Sequence, residues 1–341
     1  MTILTRLAAA LLAVRRALAR APLAALAALA AGLPLAAAHA AGAAANNAVC
    51  PPTAEPLTAE RLTEGMKTAK DHGFLWRLSK DGRVSYLYGT IHAARPEWMF
   101  PGPTLVGALR ESDTLALELD VLDPDVQRRL LASILAQRND GLPAELTYRL
   151  DRQIKAECID DAFSFAKFAP EFQVASLSVM AARRDGLDPA NAIDLVLAAV
   201  AREFGKPVAS LETPEAQMQA LRMPTQAETI EFVRSGLNEL ESGKARPMLR
   251  RMAKVWTDGD YAELSRYERW CDCVNTASER AAMKRLLDDR NPLIAAAIDN
   301  LHHSGQRVFA AVGSLHMIGP NGLPQLLKKR GYKVEQGDFR R

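Results

Sequence analysis

Two histidines each stand three residues after a glycine at the close of a short apolar run: Tyr86-Leu87-Tyr88-Gly89-Thr90-Ile91-His92, and Val308-Phe309-Ala310-Ala311-Val312-Gly313-Ser314-Leu315-His316. Imidazole offers proton transfer or metal ligation. The glycine lets the backbone turn and approach a neighbour closely, so each ring is presented just past a strand end. Two such ends meeting beside a carboxylate would make a divalent-metal site of His92, His316 and that acid. The run Thr114–Asp120 supplies candidates: in a period-two strand, Glu118 and Asp120 share a face with Ala116, opposite Leu115, Leu117 and Leu119. A carboxylate on such a run is costly unless a cation pairs with it.

Each candidate has a structural alternative. A histidine after a strand also serves as a loop residue bonded to backbone. Glu118 also reads as a strand-end charge paired with an arginine, and Arg290 as a cap on the charged end of a helix. Glu212 at a strand end and Asp194 within a helical pattern read equally as structural acids. His72, His302 and His303 lack a supporting constellation and are expected at the surface.

Positioning these groups requires strands. Each motif is followed by a proline- and glycine-bearing loop (Pro96, Pro101, Gly102, Pro103; Gly319, Pro320, Gly322), an amphipathic helix and a second apolar run, Thr114–Asp120 in the first unit and Gly331–Glu335 in the second. One strand-loop-helix-strand unit is thus used twice. Phe74–Leu78, Asp81-Gly82 and Val84–Tyr88 predict a β-hairpin that delivers His92. After Asp120 the helical period takes over, opening at Asp123-Pro124, with one short strand at Lys206–Glu212 and helix starts at Thr213-Pro214, Thr225 and Asp260. A last helix runs from Asn291-Pro292 to His303, stopped by Gly305. The expected fold is α/β (α+β): a central mixed sheet built from two strand-GxxH-loop-helix-strand units, with a large helical insertion over about 121–290. Residues 66–341 form its single domain.

The chain has 341 residues, 48% hydrophobic and 24% charged, enough to bury a large core. Its formal charge of +3 comes from the first forty residues, which hold four arginines and no acid. Beyond them 39 basic residues face 40 acidic ones, a net of −1. A near-neutral chain without a basic run offers no electrostatic footprint for nucleic acid or anionic lipid.

Arg6, Arg15, Arg16 and Arg20, the apolar stretch Ala21–Ala37 and then Ala38-His39-Ala40 follow the order of a secretory signal peptide, with cleavage expected after Ala40. The alternative is an uncleaved anchor; after cleavage no span remains. Residues 41–65 are expected to form a flexible leader. Ala- and Leu-rich composition suits a bacterium with a GC-biased genome, so the destination is the periplasm or beyond. In an oxidising compartment Cys50, Cys158, Cys271 and Cys273 would form two disulfides. A bridge within Cys271-Asp272-Cys273 is expected to be strained, which favours pairing each of these two with Cys158 or Cys50. Zinc ligation by the C-x-C is the rival.

Leu75-Trp76, Tyr86–His92, Leu117-Glu118-Leu119-Asp120, Leu211-Glu212-Thr213 with Gln217, Arg290-Asn291, Val312–His316, Gly322-Leu323 and Arg330-Gly331-Tyr332, in this order, resemble the TraB/PrgY/GumN family over about residues 66–337. The resemblance implies a fold related to the Tiki metalloproteases and, more distantly, to erythromycin-esterase-like proteins. It implies an active site of two Gly-x-x-His motifs, a glutamate and an arginine, with manganese or cobalt supporting peptide cleavage. Gly89 and His92, Gly313 and His316, Glu118 and Arg290 take those places; Asp120 is added from strand geometry alone.

The expectation is an exported metal-dependent hydrolase, a peptidase by resemblance, with zinc also possible as its ion. His92 and His316 would hold the metal, with Glu118 as a further metal ligand or as general base, and Arg290 would stabilise an oxyanion or hold a substrate carboxylate. The alternatives are a metal-independent esterase-like hydrolase and a non-catalytic binder of a small peptide or envelope glycan. No G-x-S-x-G, P-loop or H-E-x-x-H motif is present.

Overall fold

Asp81 and Gly82 both adopt positive φ (49° and 72°), the conformation of a two-residue hairpin turn whose twist matches its strands. They close the antiparallel pair β1 (Phe74–Lys80) and β2 (Arg83–Thr90). With β3 (Thr114–Leu117), β4 (Val208–Ser210), β5 (Val308–Gly313) and β6 (Lys333–Gln336) they form one sheet in the order β4-β3-β5-β2-β1-β6. The β2–β5, β3–β5 and β3–β4 pairs are parallel, and β6 runs antiparallel to β1. β1 alone therefore opposes the other five strands. This computed structural model describes residues 50–52, 58–136, 141–159 and 162–337.

The two Gly-x-x-His strands are thus parallel neighbours at the centre of the sheet. β5 is buried at all six positions, as its uninterrupted apolar sequence requires of a strand covered on both faces. From β2 the chain crosses towards β3, and from β5 it crosses the other way to β6. Right-handed crossovers running in opposite directions leave from opposite faces, which opens a crevice at the carboxyl ends of β2 and β5. The register pairs Thr90 with Gly313 and Gly89 with Val312. The two motifs are therefore staggered by one residue, and their glycines lie on opposite faces of the sheet.

In chain order the main helices are α1 (Ala59–Thr68), α2 (Pro103–Glu111), α3 (Pro124–Leu135), α4 (Ala144–Ala156), α5 (Pro170–Met180), α6 (Ile193–Glu203), α7 (Pro214–Leu221), α8 (Gln226–Ser242), α9 (Ala245–Thr257), α10 (Asn291–His303) and α11 (Leu323–Lys329). Their starts follow the sequence: the side chains of Asp123, Thr213, Thr225 and Asp260 each accept backbone N–H groups of the turn that follows. A π-helical turn at Lys284–Asp288 interrupts the helical path just before Arg290, a deformation that often accompanies functional sites. The helical insertion expected over 121–290 also contributes to the sheet, through β4 on its edge.

Several expectations need correction. The disulfides are Cys50–Cys158 and Cys271–Cys273. Asp272 takes a positive φ of 54°, and this turn brings the flanking Cα atoms to 5.1 Å, within the usual range for a disulfide. Zinc ligation by this pair is thereby removed. The signal peptide over 1–40 lies outside the described residues. The segment 41–65 is not free where it is described, because Cys50 is tethered to Cys158 and α1 begins at Ala59, with Leu62 buried. β3 ends at Leu117, so Glu118 stands at the open end of the strand rather than on a face of the sheet. His302 is fully buried, bonded to Ser85 and the Lys80 carbonyl. Among the described residues no helix is long and apolar enough to cross a membrane.

Candidate functional site

At the carboxyl end of β2 the Ile91 carbonyl accepts the Ile193 N–H, and Ala94 pairs with Asp188. These bonds dock the N-terminus of α6 on the loop that carries His92 and place Asp194 in its first turn. The Asp194 carboxylate accepts from Thr90 Oγ1 (2.7 Å) and lies 2.9 Å from His92 Nδ1. A carboxylate can only accept, so Nδ1 carries the proton and Nε2 of the neutral ring offers its lone pair. Burial works against protonation of His92, but the charge and hydrogen bond of Asp194 outweigh it and raise the pKa.

His316, in the short 3₁₀ turn after β5, is buttressed differently. Its Nδ1 lies 2.5 Å from Asn291 Oδ1, while Asn291 Nδ2 donates to the Asn321 carbonyl. That second bond fixes which way the amide points, so His316 Nδ1 donates and Nε2 is again left free. Its Nε2 is 3.9 Å from Glu118 Oε2. Burial, with Arg290 and His92 nearby and only partly offset by Glu118, lowers its pKa to about 3.

Glu118 connects the two units. Its Oε1 accepts from the Gly313 N–H at 2.8 Å, and its Oε2 accepts from Arg290 Nη2 at 2.5 Å and Gln217 Nε2 at 3.3 Å. Burial alone would raise its pKa; the charges of Arg290, His316 and His92 reverse that and hold the carboxyl well below the usual range. Arg290 also forks onto Glu212 and donates to the Leu286 carbonyl. It is 5% exposed. Glu212, buried beside the same guanidinium and beside Glu118, is raised despite its bonds to Arg290.

Gly313 sits where these groups converge. A Cβ added there would lie 3.2 Å from both Glu118 Oε1 and His92 Nε2, and 3.8 Å from His316 Cδ2. Gly89 faces the other way, towards Ser314 Oγ (3.0 Å) and Phe74 Cδ2 (3.2 Å). The structure therefore brings together His92, His316, Glu118, Arg290 and Gly313, with Gly89 as a packing glycine behind them. Asp120 is not among them: its carboxylate pairs with Arg202 at 2.5 Å. Asp194, Glu212, Gln217 and Asn291 belong to the site. Asp194 and Glu212 stood out in the sequence only as acids with no assigned partner, and the ring partners of the histidines come from helices remote in sequence.

The site opens into a cleft whose far wall is Val179, Ala182, Leu187, Leu249, Met252 and Trp256. Leu249, Met252 and Trp256 form one stripe of α9. Trp256 Nε1 donates to the Gly89 carbonyl at 2.9 Å, tying the insertion to the first motif.

Among the described residues no group of three His, Cys, Asp or Glu side chains forms a ready-made metal cage. The donor chemistry does fit a divalent ion. Two imidazoles with Nδ1 fixed by an oxygen acceptor and Nε2 free are the form in which histidine ligates metals, and a carboxylate borders the gap that the missing Gly313 Cβ leaves. Arg290 is occupied by Glu118, Glu212 and a backbone carbonyl.

No curated protein and no solved structure matches this chain. A family model for TraB/PrgY/gumN matches residues 74–336, from the first residue of β1 to the last of β6, and the chain thus belongs to the TraB/PrgY/gumN family.

Proposed function

We propose that this protein is an exported metal-dependent hydrolase acting on peptide bonds, with His92 and His316 as histidine ligands and Glu118 as the carboxylate at the same ion. The observation that carries the proposal is the matched buttressing of the two rings: each Nδ1 is held by an oxygen, and both rings adjoin the cradle at Gly313 with Glu118. A divalent ion bound there, manganese, cobalt or zinc, would supply Lewis acidity, polarising a carbonyl and making water more acidic near neutral pH. Asp194 and Asn291 orient the rings, as outer-shell partners do at metal sites. The Glu118 carboxylate, ionised and anchored by Arg290, would serve as an anionic ligand or hold the attacking water through Oε1, which keeps a lone pair beyond its bond to Gly313. The role of Arg290 is to hold Glu118 ionised, since its Nε and Nη2 are committed to Glu212 and Glu118 and its Nη1 bonds the Leu286 carbonyl. Two disulfides together with the basic, apolar and Ala-x-Ala order of the N-terminus support export to an oxidising compartment.

Calorimetric titration of metal-stripped protein with manganese, cobalt and zinc tests the site. One-site binding by the wild type, lost in folded His92→Ala and His316→Ala variants, is the expected result; no binding by the wild type overturns it. The firm engagement of Glu118 by Arg290, Gln217 and Gly313 favours one second reading: metal-independent hydrolysis with His92, oriented by Asp194, as the general base. Hydrolytic activity that survives exhaustive chelation selects this second reading.

A further inference from the structure

The cleft beside the two histidines is polar only at its floor. There it is bordered by Thr90, His92, Glu118, Gly313, Ser314 and His316, while the opposite wall is built from the aliphatic and aromatic side chains of α5, the segment after it and α9. Among the described residues no lysine or arginine lines it. The Arg290 guanidinium behind Glu118 bonds two carboxylates and a carbonyl, and the one acid among the described lining residues, Glu118, is paired with it. Against that far wall a substrate carboxylate would meet no cation, and an ammonium no anion. Burying either unpaired is costly, whereas an apolar group seated against Leu249, Met252 and Trp256 gains by leaving water.

We infer that the cleft is a specificity pocket for an uncharged, apolar side chain or acyl group lying next to the bond that is cut, within a substrate rather than at a charged terminus. The assignment rests on the hydrolase reading only for which bond lies beside the pocket. Leu249, Met252 and Trp256, spaced three and four residues apart on one helix, are its specificity-determining residues.

The test is equilibrium binding of acetylated, amidated tetrapeptides that differ at one central position (Leu, Phe, Lys or Asp), measured by calorimetry on the metal-stripped full chain, with mass spectrometry confirming that the peptides stay intact. The Leu and Phe peptides are expected to bind about tenfold or more tightly than the Lys and Asp peptides. Leu249→Ala, shown folded by its thermal melt, is expected to shift preference from Leu towards Phe by enlarging the pocket. Equal binding of the four peptides, binding of none, or an unchanged Leu/Phe ratio in folded Leu249→Ala overturns the inference; if that variant does not fold, the wild-type series alone decides. Selective binding of the apolar peptides without cleavage under any metal condition upholds the pocket and removes the hydrolase reading. Cleavage confined to charged peptides removes the pocket and leaves the hydrolase.

Discussion

The same four-residue pattern at the ends of β2 and β5 produces two histidines of opposite electrostatic character. His92 faces a carboxylate, Asp194, and its pKa is raised; His316 faces an amide, Asn291, and its pKa falls to about 3. The glycines differ as well, because the one-residue stagger between the strands turns Gly313 towards the reactive atoms and Gly89 towards packing. Repetition of a motif supplies two positions at one sheet end. The partner that each position meets, contributed by a helix outside the motif, decides what its histidine can do.

The largest expected effect comes from removing the cation that keeps the Glu118 side of the site ionised. Arg290→Met leaves Glu118 and Glu212 buried together without a counter-charge and is expected to cost about 3–5 kcal/mol of stability, read by chemical denaturation. Next is Asp194→Asn, which makes the partner of His92 resemble that of His316. It should lower the His92 pKa, followed by ring NMR in metal-free protein, and cost about 1.5–3 kcal/mol as a hydrogen bond to a charged group is lost.

The signs of the pH dependence then separate the two rings. The raised pKa of His92 contributes stability that is complete below its unfolded value and lost as pH rises through the folded one. The depressed pKa of His316 contributes stability that is present above its unfolded value of 6.5 and lost as pH falls towards about 3. In metal-free protein, His316→Gln should therefore lose less stability than the wild type on acidification from neutral pH, as denaturation midpoints across that range will show.

The glycines sharpen the comparison further. Gly313→Ala places a methyl group against Glu118 Oε1 and His92 Nε2 and is expected to weaken metal binding at least about tenfold with a small change in melting temperature, whereas Gly89→Ala, crowding Ser314 and Phe74, should lower the melting temperature while leaving metal affinity nearly unchanged. Calorimetry and thermal melts on the two variants give both readouts. The smallest effect expected is that of Asn291→Asp, which gives His316 a carboxylate partner like that of His92 and should raise its pKa, visible in the same NMR titration.

Much of this architecture was legible in the chain. The Asp81-Gly82 hairpin, the β2 and β5 runs and the helix starts all follow from turn chemistry and period, which are local properties. Glu118 was legible as a costly acid on an apolar run. What local pattern misled on were long-range pairings. Asp120 looked equivalent to Glu118 on a continuous strand, but the strand stops at Leu117 and Arg202 of α6 claims Asp120. Cys271 and Cys273 looked too close to pair, yet a positive-φ Asp272 makes the turn that joins them.

The sequence by itself determined the strand ends and their histidines, because glycine placement and apolar periodicity act over a few residues. The tertiary structure alone decided that Gly89 and Gly313 face opposite sides, since register between strands more than 200 residues apart is written in neither strand. It alone supplied Asp194 to one ring and Asn291 to the other, because the protonation of a buried imidazole is set by whichever group packing brings within hydrogen-bonding distance.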